Sequence, residues 1–341
     1  MAADGMPPQA AGGRPRLAAV GAGRMGRGIA VAFAYAGHRI ALVDLRPRDA
    51  PSWSRLRDEA MAEIRAHAHA LARLGALRAD QVEALCARVL PVPAADAPAT
   101  LADCELVFEG VAETFDDKRE AFAQIGRHCR DDAIVTSTTS SILVTQLAPL
   151  VARPERFLNM HWLNPAYLIP VVELSTHDGT DAQVLERTKA WLGAIGKLPV
   201  VCGPAPGYIV PRLQALVMNE AARMVEEGVA TAEEIDKATR FGMGLRFAAI
   251  GVVEFIDFGG VDILHHASRE MSASIDAVRY AAPPIVGRLM AGGQLGLKTA
   301  SGFHDYAGRD LAAYRHDVLA RVFAQLRQAG LWRAPAEHTL D

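Results

Sequence analysis

The chain has 341 residues, is half apolar, and carries a formal net charge of −3. That length suits two domains with sizeable cores, and the near-neutral balance argues against nucleic acid as the main ligand. The four cysteines (Cys86, Cys104, Cys129, Cys202) show no CxxC spacing. They read as small buried hydrophobes in a reducing compartment, with no metal site and no disulfide frame.

Residues 1–15, rich in Gly, Pro and Ala, lack the basic start and apolar run of a secretory signal and read as a disordered tail. The most apolar stretch after it, 17–43, is broken by Arg24, Arg27, His38 and Arg39. No membrane span is expected, and the chain reads as a cytoplasmic protein. Residues 16–21 and 38–44 are short apolar runs ending in Gly21 and Asp44, with a glycine-punctuated helical stretch between them. That pattern is a βαβ unit. A long helical region follows over about 52–88, broken near Gly75, with Asp80 and Glu83 spaced as a capping box for its second half. Short apolar runs recur at 105–109, 133–137, 157–161, 171–174 and 198–202, several of them separated by helical segments. Such alternation predicts a mostly parallel sheet covered on both faces. Past Gly203 comes the turn-rich "CGPAPGY", and then only helical periodicity: 209–228, 232–241 opening with Thr231 and Glu234 as a second capping box, and further segments to about 328.

"VGAGRMGRG" places Gly21, Gly23 and Gly26 at G-x-G-x-x-G spacing between a predicted strand and a predicted helix. Gly21 permits a tight turn, Gly23 lets backbone approach a pyrophosphate, and Gly26 lets helix and strand pack closely. Asp44, ending the next strand, suits the adenine ribose hydroxyls and repels a 2′-phosphate, which favours NAD over NADP; Arg46 and Arg48 close behind it weaken that preference. The expected organisation is α/β: a Rossmann-type doubly wound domain over 16–203, followed by an all-α domain over 204–330.

"VTSTTSSIL" (135–143) runs from a strand into a hydroxyl-rich loop, where one hydroxyl caps the next helix and others stay free for a substrate oxygen. In "NMHWLNPAYLIPVVELS" (159–175), His161 ends one strand and Glu173 lies in the next. An ionisable group in so apolar a run needs a partner. A carboxylate on one imidazole nitrogen fixes the tautomer and leaves the other nitrogen as a base, which oxidation of an alcohol by NAD requires. An imidazole with an ordinary pKa of about 6.5 suits that exchange. A buried His–Glu pair of purely structural role fits the spacing equally well.

Over nearly all of residues 16–310 the chain resembles the 3-hydroxyacyl-CoA dehydrogenase family. The matching stretches are "VGAGRMGRGIA", "EGVAETFDDKREAF", "STTSS", "HWLNPAYLIPVVE", "PGYIVPR", "NEAARMVEEGVATAEEID" and "GLKTASGFHDY". The resemblance implies a Rossmann-type domain followed by a helical dimerisation domain, a homodimer, and reversible NAD-linked oxidation of an L-3-hydroxy group to a 3-keto group. It implies that Ser140 meets the substrate oxygen, that His161 is the general acid/base and that Glu173 orients it. Arg24 and Met25 join the three glycines in the cofactor loop, Glu113 and Lys118 fall at the nicotinamide half of the cofactor, and Asn164 matches an asparagine beside the histidine loop. Two positions that the resemblance places around the substrate depart from the family. Pro211 stands where the family's "GF-x-x-NR" has asparagine, and Thr138 stands where its hydroxyl loop has asparagine. Proline has neither a side-chain donor nor an amide hydrogen, though it suits a helix's first turn.

Most of the family acts on acyl-CoA thioesters. A branch that includes L-gulonate and L-carnitine dehydrogenases takes free hydroxy acids, and "GMGLRFAAIG" (242–251) resembles the gulonate branch. Arg246 in it could bind a substrate carboxylate or form a helix-end salt bridge. Cations at Arg55, Arg57, Arg65 and Arg73 would suit CoA, but Asp58, Glu59 and Glu63 lie among them. Family frequency places a short-chain 3-hydroxyacyl-CoA such as 3-hydroxybutyryl-CoA first and a free L-3-hydroxy acid second. An NAD-binding structural protein with little turnover is a third reading. The stripe Leu213, Leu216, Val217, Ala221 and Met224 on helix 209–228 could supply a dimer seam, but by default reads as buried within one subunit, so dimerisation follows mostly from the resemblance.

Overall fold

The computed structural model describes residues 16–333; the tail expected over 1–15 lies outside the described residues. The chain divides into two compact units, with the break between Val217 and Met218.

The first unit holds eight strands: β1 Leu17–Val20, β2 Ile40–Val43, β3 Val89–Val92, β4 Leu106–Glu109, β5 Ile134–Ser137, β6 Phe157–Trp162, β7 Val171–Ser175 and β8 Leu198–Cys202. They form one sheet in the order β3-β2-β1-β4-β5-β6-β7-β8. Pairing is parallel through β6, antiparallel between β6 and β7, and parallel again between β7 and β8. Strand order reverses between β1 and β4, and the carboxyl ends of strands at such a point border the ligand crevice of open α/β sheets. Side chains alternate along β1 between two cores. Leu17 and Ala19 join Ile29, Phe33, Phe108 and Trp162 on one face. Ala18 and Val20 join Val107, Phe122, Ile125 and Phe157 on the other. Burial on both sides is why these strands read as unbroken apolar runs.

β3 was not among the expected strands. Its sequence, Val-Leu-Pro-Val, contains Pro91, which cannot donate to a ladder. The strand lies at the sheet edge, where a missing donor is tolerated. The long helical region is helix Ala50–Arg73, capped by the Asp49 carboxylate on Ser52 N at 2.8 Å and ended at Gly75 with φ 74°. The expected Asp80–Glu83 capping box does not form. Gln81 Oε1 accepts from Arg78 N at 3.1 Å instead, and the two acids engage guanidinium forks, Asp80 with Arg78 and Glu83 with Arg65. Charge-assisted paired bonds of that kind are stronger than a neutral cap.

The second unit is helical, with Ala232–Lys237, Leu245–Ala249, Val252–Gly259, Val261–Ser274, Pro284–Ala291 and Leu311–Gln328. Thr231 caps the first of these, its Oγ1 accepting from Glu234 N at 3.4 Å. A wider π-type turn, Ala238–Gly244, joins it to the next. Val261, Val286 and Leu289 form a small core. Beside them the buried Asp257 accepts from Phe303 N at 2.9 Å and His304 N at 2.8 Å. No described helix is long and apolar enough to cross a membrane.

Residues 204–217, expected with the helical domain, fall in the first unit. The physical reason is local: Tyr208, Ile209 and Val210 bond to groups on the sheet, as described next.

Candidate active site

The glycine loop follows β1. Gly21 has φ 106°, and a Cβ there would meet Gly110 O at 2.5 Å; one on Gly26 would meet Gly21 O at 2.0 Å. Those two glycines are required by the backbone itself. A Cβ on Gly23 would meet nothing within 4 Å, so the space beside it is open. Helix Arg24–Tyr35 starts there with no side-chain cap and no acid in its first turn. Its leading amides are therefore available to an anion, which fits the diphosphate of NAD. Gly21, Gly23, Asp44, Arg46, Gly110 and Val111 are among the residues lining an open cleft of about 360 Å³. Arg24 is exposed at the helix start, and Met25 packs half-buried on the core. Asp44 is buried; it accepts from Arg48 Nε and, at 3.3 Å, from Arg46 N.

β4 ends in Glu109, which is fully buried beside a fully buried Lys118. Lys118 Nζ donates to both Glu109 oxygens at 3.0 and 3.1 Å, Ser137 Oγ donates to Oε2 at 2.6 Å, and Val111 N to Oε1 at 2.9 Å. Lys118 Nζ also lies 3.3 Å from Glu113 Oε2. The resemblance placed Lys118 at the cofactor. Its ammonium is enclosed by two carboxylates, as a cation without access to water must be.

Glu113 Oε1 gathers the hydroxyl loop after β5. It accepts from Thr139 Oγ1, from Ser140 N at 2.9 Å, from Ser141 N at 3.1 Å and from Ser141 Oγ at 2.9 Å. Burial pushes its carboxyl up, but the bonds from Thr139 and Ser141 and the charge of Lys118 outweigh that and hold it below the ordinary carboxylate range. Ser140 is exposed, and its hydroxyl makes no hydrogen bond among the described residues. No hydroxyl caps the next helix, Val144–Leu147, whose N-cap is Leu143. Thr139 Oγ1 accepts from Ile142 N at 3.0 Å instead, since the loop makes one more turn before the helix begins.

His161 and Glu173 lie directly opposite each other on β6 and β7. His161 Nδ1 is 2.8 Å from Glu173 Oε2. The other oxygen, Oε1, accepts from Ile209 N at 2.9 Å and Val210 N at 2.7 Å. Glu173 is fully buried, whereas His161 keeps 7% of its surface exposed. Against the imidazole lies Tyr208, with ring centroids 4.6 Å apart and planes 11° apart. Its hydroxyl donates to Thr139 O at 2.9 Å and accepts from Asn159 Nδ2 at 3.1 Å. Gly207 and Tyr208 both have left-handed backbone, with φ of 78° and 47°; for a tyrosine that is a strained conformation held by its surroundings. Lys197 Nζ donates at 2.7 Å to the carbonyls of Ala166 and Ile169, bracing the connection between β6 and β7.

The structure thus joins His161, Glu173 and the loop of Ser140 through Tyr208, and Ser140 to Lys118 through Glu113. Asn164 is exposed, with no hydrogen bond among the described residues. Arg246 belongs to the second unit, where it donates to Gly242 O at 2.6 Å and lies 5.1 Å above the Phe255 ring. Pro211 sits in the first turn of helix Val210–Glu226. Sequence reasoning missed Glu109, Lys197 and Tyr208. An acid closing an apolar run was a visible signal for the first, and tyrosine in a "GF" position was one for the last.

Two family models match the chain: "3-hydroxyacyl-CoA dehydrogenase, NAD binding domain" over residues 16–205, and "3-hydroxyacyl-CoA dehydrogenase, C-terminal domain" over 207–306. A 3-hydroxybutyryl-CoA dehydrogenase of Bradyrhizobium diazoefficiens is 34% identical over 293 residues, covering 86% of this chain and 96% of that one. A 5-formyl-3-hydroxy-2-methylpyridine 4-carboxylate 5-dehydrogenase of Mesorhizobium japonicum is 27% identical over 314 residues, covering 91% of this chain and 97% of that one. The crystal structure of a 3-hydroxyacyl-CoA dehydrogenase from Archaeoglobus fulgidus superposes with TM-score 0.72 at 28% identity, covering 93% of this chain and all of that one. This chain belongs to the 3-hydroxyacyl-CoA dehydrogenase family, and is an NAD-dependent oxidoreductase acting on a CH–OH group.

Proposed function

We propose that this enzyme oxidises a short-chain L-3-hydroxyacyl-CoA, of the 3-hydroxybutyryl type, to the 3-ketoacyl-CoA, with His161 as general base. The observation that carries the reading is the 2.8 Å bond between His161 Nδ1 and a fully buried Glu173. NAD accepts the hydride; the protein's task is the proton. Glu173 holds the proton of the neutral imidazole on Nδ1, so Nε2 carries the lone pair that takes the substrate hydroxyl proton. The resulting imidazolium is stabilised by the carboxylate, which the amides of Ile209 and Val210 keep in place. Ser140, whose hydroxyl is internally unengaged, donates to the substrate oxygen. Gly21, Gly23, Arg24, Met25 and Gly26 hold the pyrophosphate, and Asp44 the adenine ribose. Glu113 borders the nicotinamide half, with Lys118 positioning it from beneath.

A free L-3-hydroxy acid is the second reading, and one observation favours it. Two of the cations on helix Ala50–Arg73 are consumed by acids, Arg57 by Asp58 and Arg65 by Glu83, which leaves less positive charge for a CoA phosphate. The Mesorhizobium relative's name is also that of a free carboxylate. A parallel assay of 3-hydroxybutyryl-CoA, L-gulonate and L-carnitine with NAD, at equal enzyme, decides between the two. Turnover of none of them, with NADH still bound, would defeat both and leave a cofactor-binding protein.

The functional form is proposed to be a homodimer. Helix Val210–Glu226 has no buried residue within one chain. Leu213, Leu216, Met218 and Val225 are all exposed on it, so the stripe expected to be buried within one subunit is not. The second unit's small core gives it the same need for a partner.

A further inference from the structure

We propose that Tyr208 is a positioning residue for this reaction, its ring setting the plane of the His161 imidazole and its hydroxyl fastening the loop of Ser140 to that same plane. The inference rests on the general-base reading above. A carboxylate on Nδ1 decides which imidazole nitrogen is free, but a ring held at one atom can still rock about that bond. The Tyr208 ring lies flat against it, 4.6 Å away and 11° from parallel, and removes that motion. The direction of Nε2 is then fixed as well as its protonation.

The phenol oxygen makes a second connection. It donates to Thr139 O, the carbonyl that precedes Ser140 in the chain, at 2.9 Å. It accepts from Asn159 Nδ2, which also donates to Ile142 O at 2.9 Å. The loop from 139 to 142 is therefore gripped from one side by Tyr208 and Asn159 and from the other by Glu113. One side chain touches both the base and the backbone of the loop that presents the substrate's hydrogen-bond donor. Angular errors between such groups are what positioning residues suppress, and small misplacements are costly in rate. A left-handed tyrosine next to Ile209 and Val210, whose amides hold Glu173, is consistent with a segment built around this geometry. Phenylalanine, as in the "GF-x-x-NR" pattern, would supply the ring but not the tie.

Tyr208→Phe and Tyr208→Leu separate the two roles, with His161→Ala as reference. Steady-state rates are taken with NAD and whichever hydroxy substrate turns over fastest in the assay above; NADH affinity is read by fluorescence titration. Tyr208→Leu should lower kcat by about ten-fold or more with NADH affinity unchanged. Tyr208→Phe should recover kcat to within about three-fold of the parent, while its KM for the hydroxy substrate stays several-fold raised, because only the loop is loosened. Wild-type kcat in Tyr208→Leu, an unchanged KM in Tyr208→Phe, or equal loss of NADH binding in both variants would overturn the proposal. Full activity of His161→Ala would instead remove the general-base reading on which it rests, so the two failures are distinguishable.

Discussion

His161 and Glu173 face each other across the β6–β7 seam, and the acid's far oxygen takes two backbone amides, Ile209 N and Val210 N, where helix Val210–Glu226 begins. The imidazole is thus oriented by a carboxylate that is itself immobilised. His161→Ala should lower kcat by about 10²–10⁴-fold. Glu173→Gln, which keeps the shape and an acceptor for Ile209 and Val210, should lower it by roughly 10²-fold with little change in melting temperature. NADH formation followed by absorbance tests both; equal kcat in Glu173→Gln and the parent would dismiss the acid's role.

The glycine loop predicts a contrast between two alanine substitutions. Gly23→Ala adds a methyl that meets nothing within 4 Å in the protein. It should fold with an unchanged melting temperature yet bind NADH at least about ten-fold more weakly, because the methyl takes space the pyrophosphate needs. Gly26→Ala, whose methyl would meet Gly21 O at 2.0 Å, should lose both stability and binding. Undiminished NADH affinity in Gly23→Ala would place the cofactor elsewhere.

The Glu109–Lys118 pair predicts non-additivity. Removing one member of a fully buried ion pair strands the other charge, at about 3–5 kcal/mol. Lys118→Met should therefore destabilise by roughly that amount in urea unfolding, and Glu109→Gln by a comparable amount. The double variant should be less destabilised than the sum of the singles, since neither charge remains. Simple additivity would show that the two do not act as a pair.

Glu113 makes stability depend on pH with a definite sign. Its carboxyl lies below the ordinary range in the fold, so the stabilisation it brings is present above the unfolded value of about 4.3 and is lost as pH falls through and below it. Part of the side chain is open to solvent, so screening limits the effect. The urea midpoint should drop between pH 6 and about pH 3.5, and less steeply in Glu113→Gln. Parallel curves for the two proteins would assign the acid sensitivity to other groups.

Leu216, 72% exposed on helix Val210–Glu226, tests the dimer. Sedimentation should show a dimer for the parent and a shift towards monomer for Leu216→Asp, because a charge in a desolvated seam is strongly unfavourable. A parent protein that sediments as a monomer would end that proposal.

Much of this was legible in the sequence, and the exceptions share a cause. Strands buried on both faces announced themselves as unbroken apolar runs, and Glu173 stood out because an acid inside such a run needs a partner. β3 was hidden by Pro91, which sheet position, not sequence, makes harmless. Glu109 closes the apolar run 105–109, but only the fold brings Lys118, nine positions later, beside it. Asp44 was legible as a strand-end acid, but its bond to Arg48 was not, because that depends on how the chain turns after β2. Tyr208 could be seen to differ from the family's phenylalanine, yet its value lies in Thr139 and Asn159, remote in sequence and adjacent only in space.

The pairing of β6 with β7 has a bearing on how this enzyme tolerates change. Because ladder register sets residue 161 against residue 173, extra residues inserted between 163 and 170 leave the two side chains facing each other. A slip of the β7 register by one residue turns the carboxylate to the other side of the sheet and away from His161. The facing of the two side chains is thereby insensitive to the length of the connecting segment and sensitive to the register of the strand that follows it.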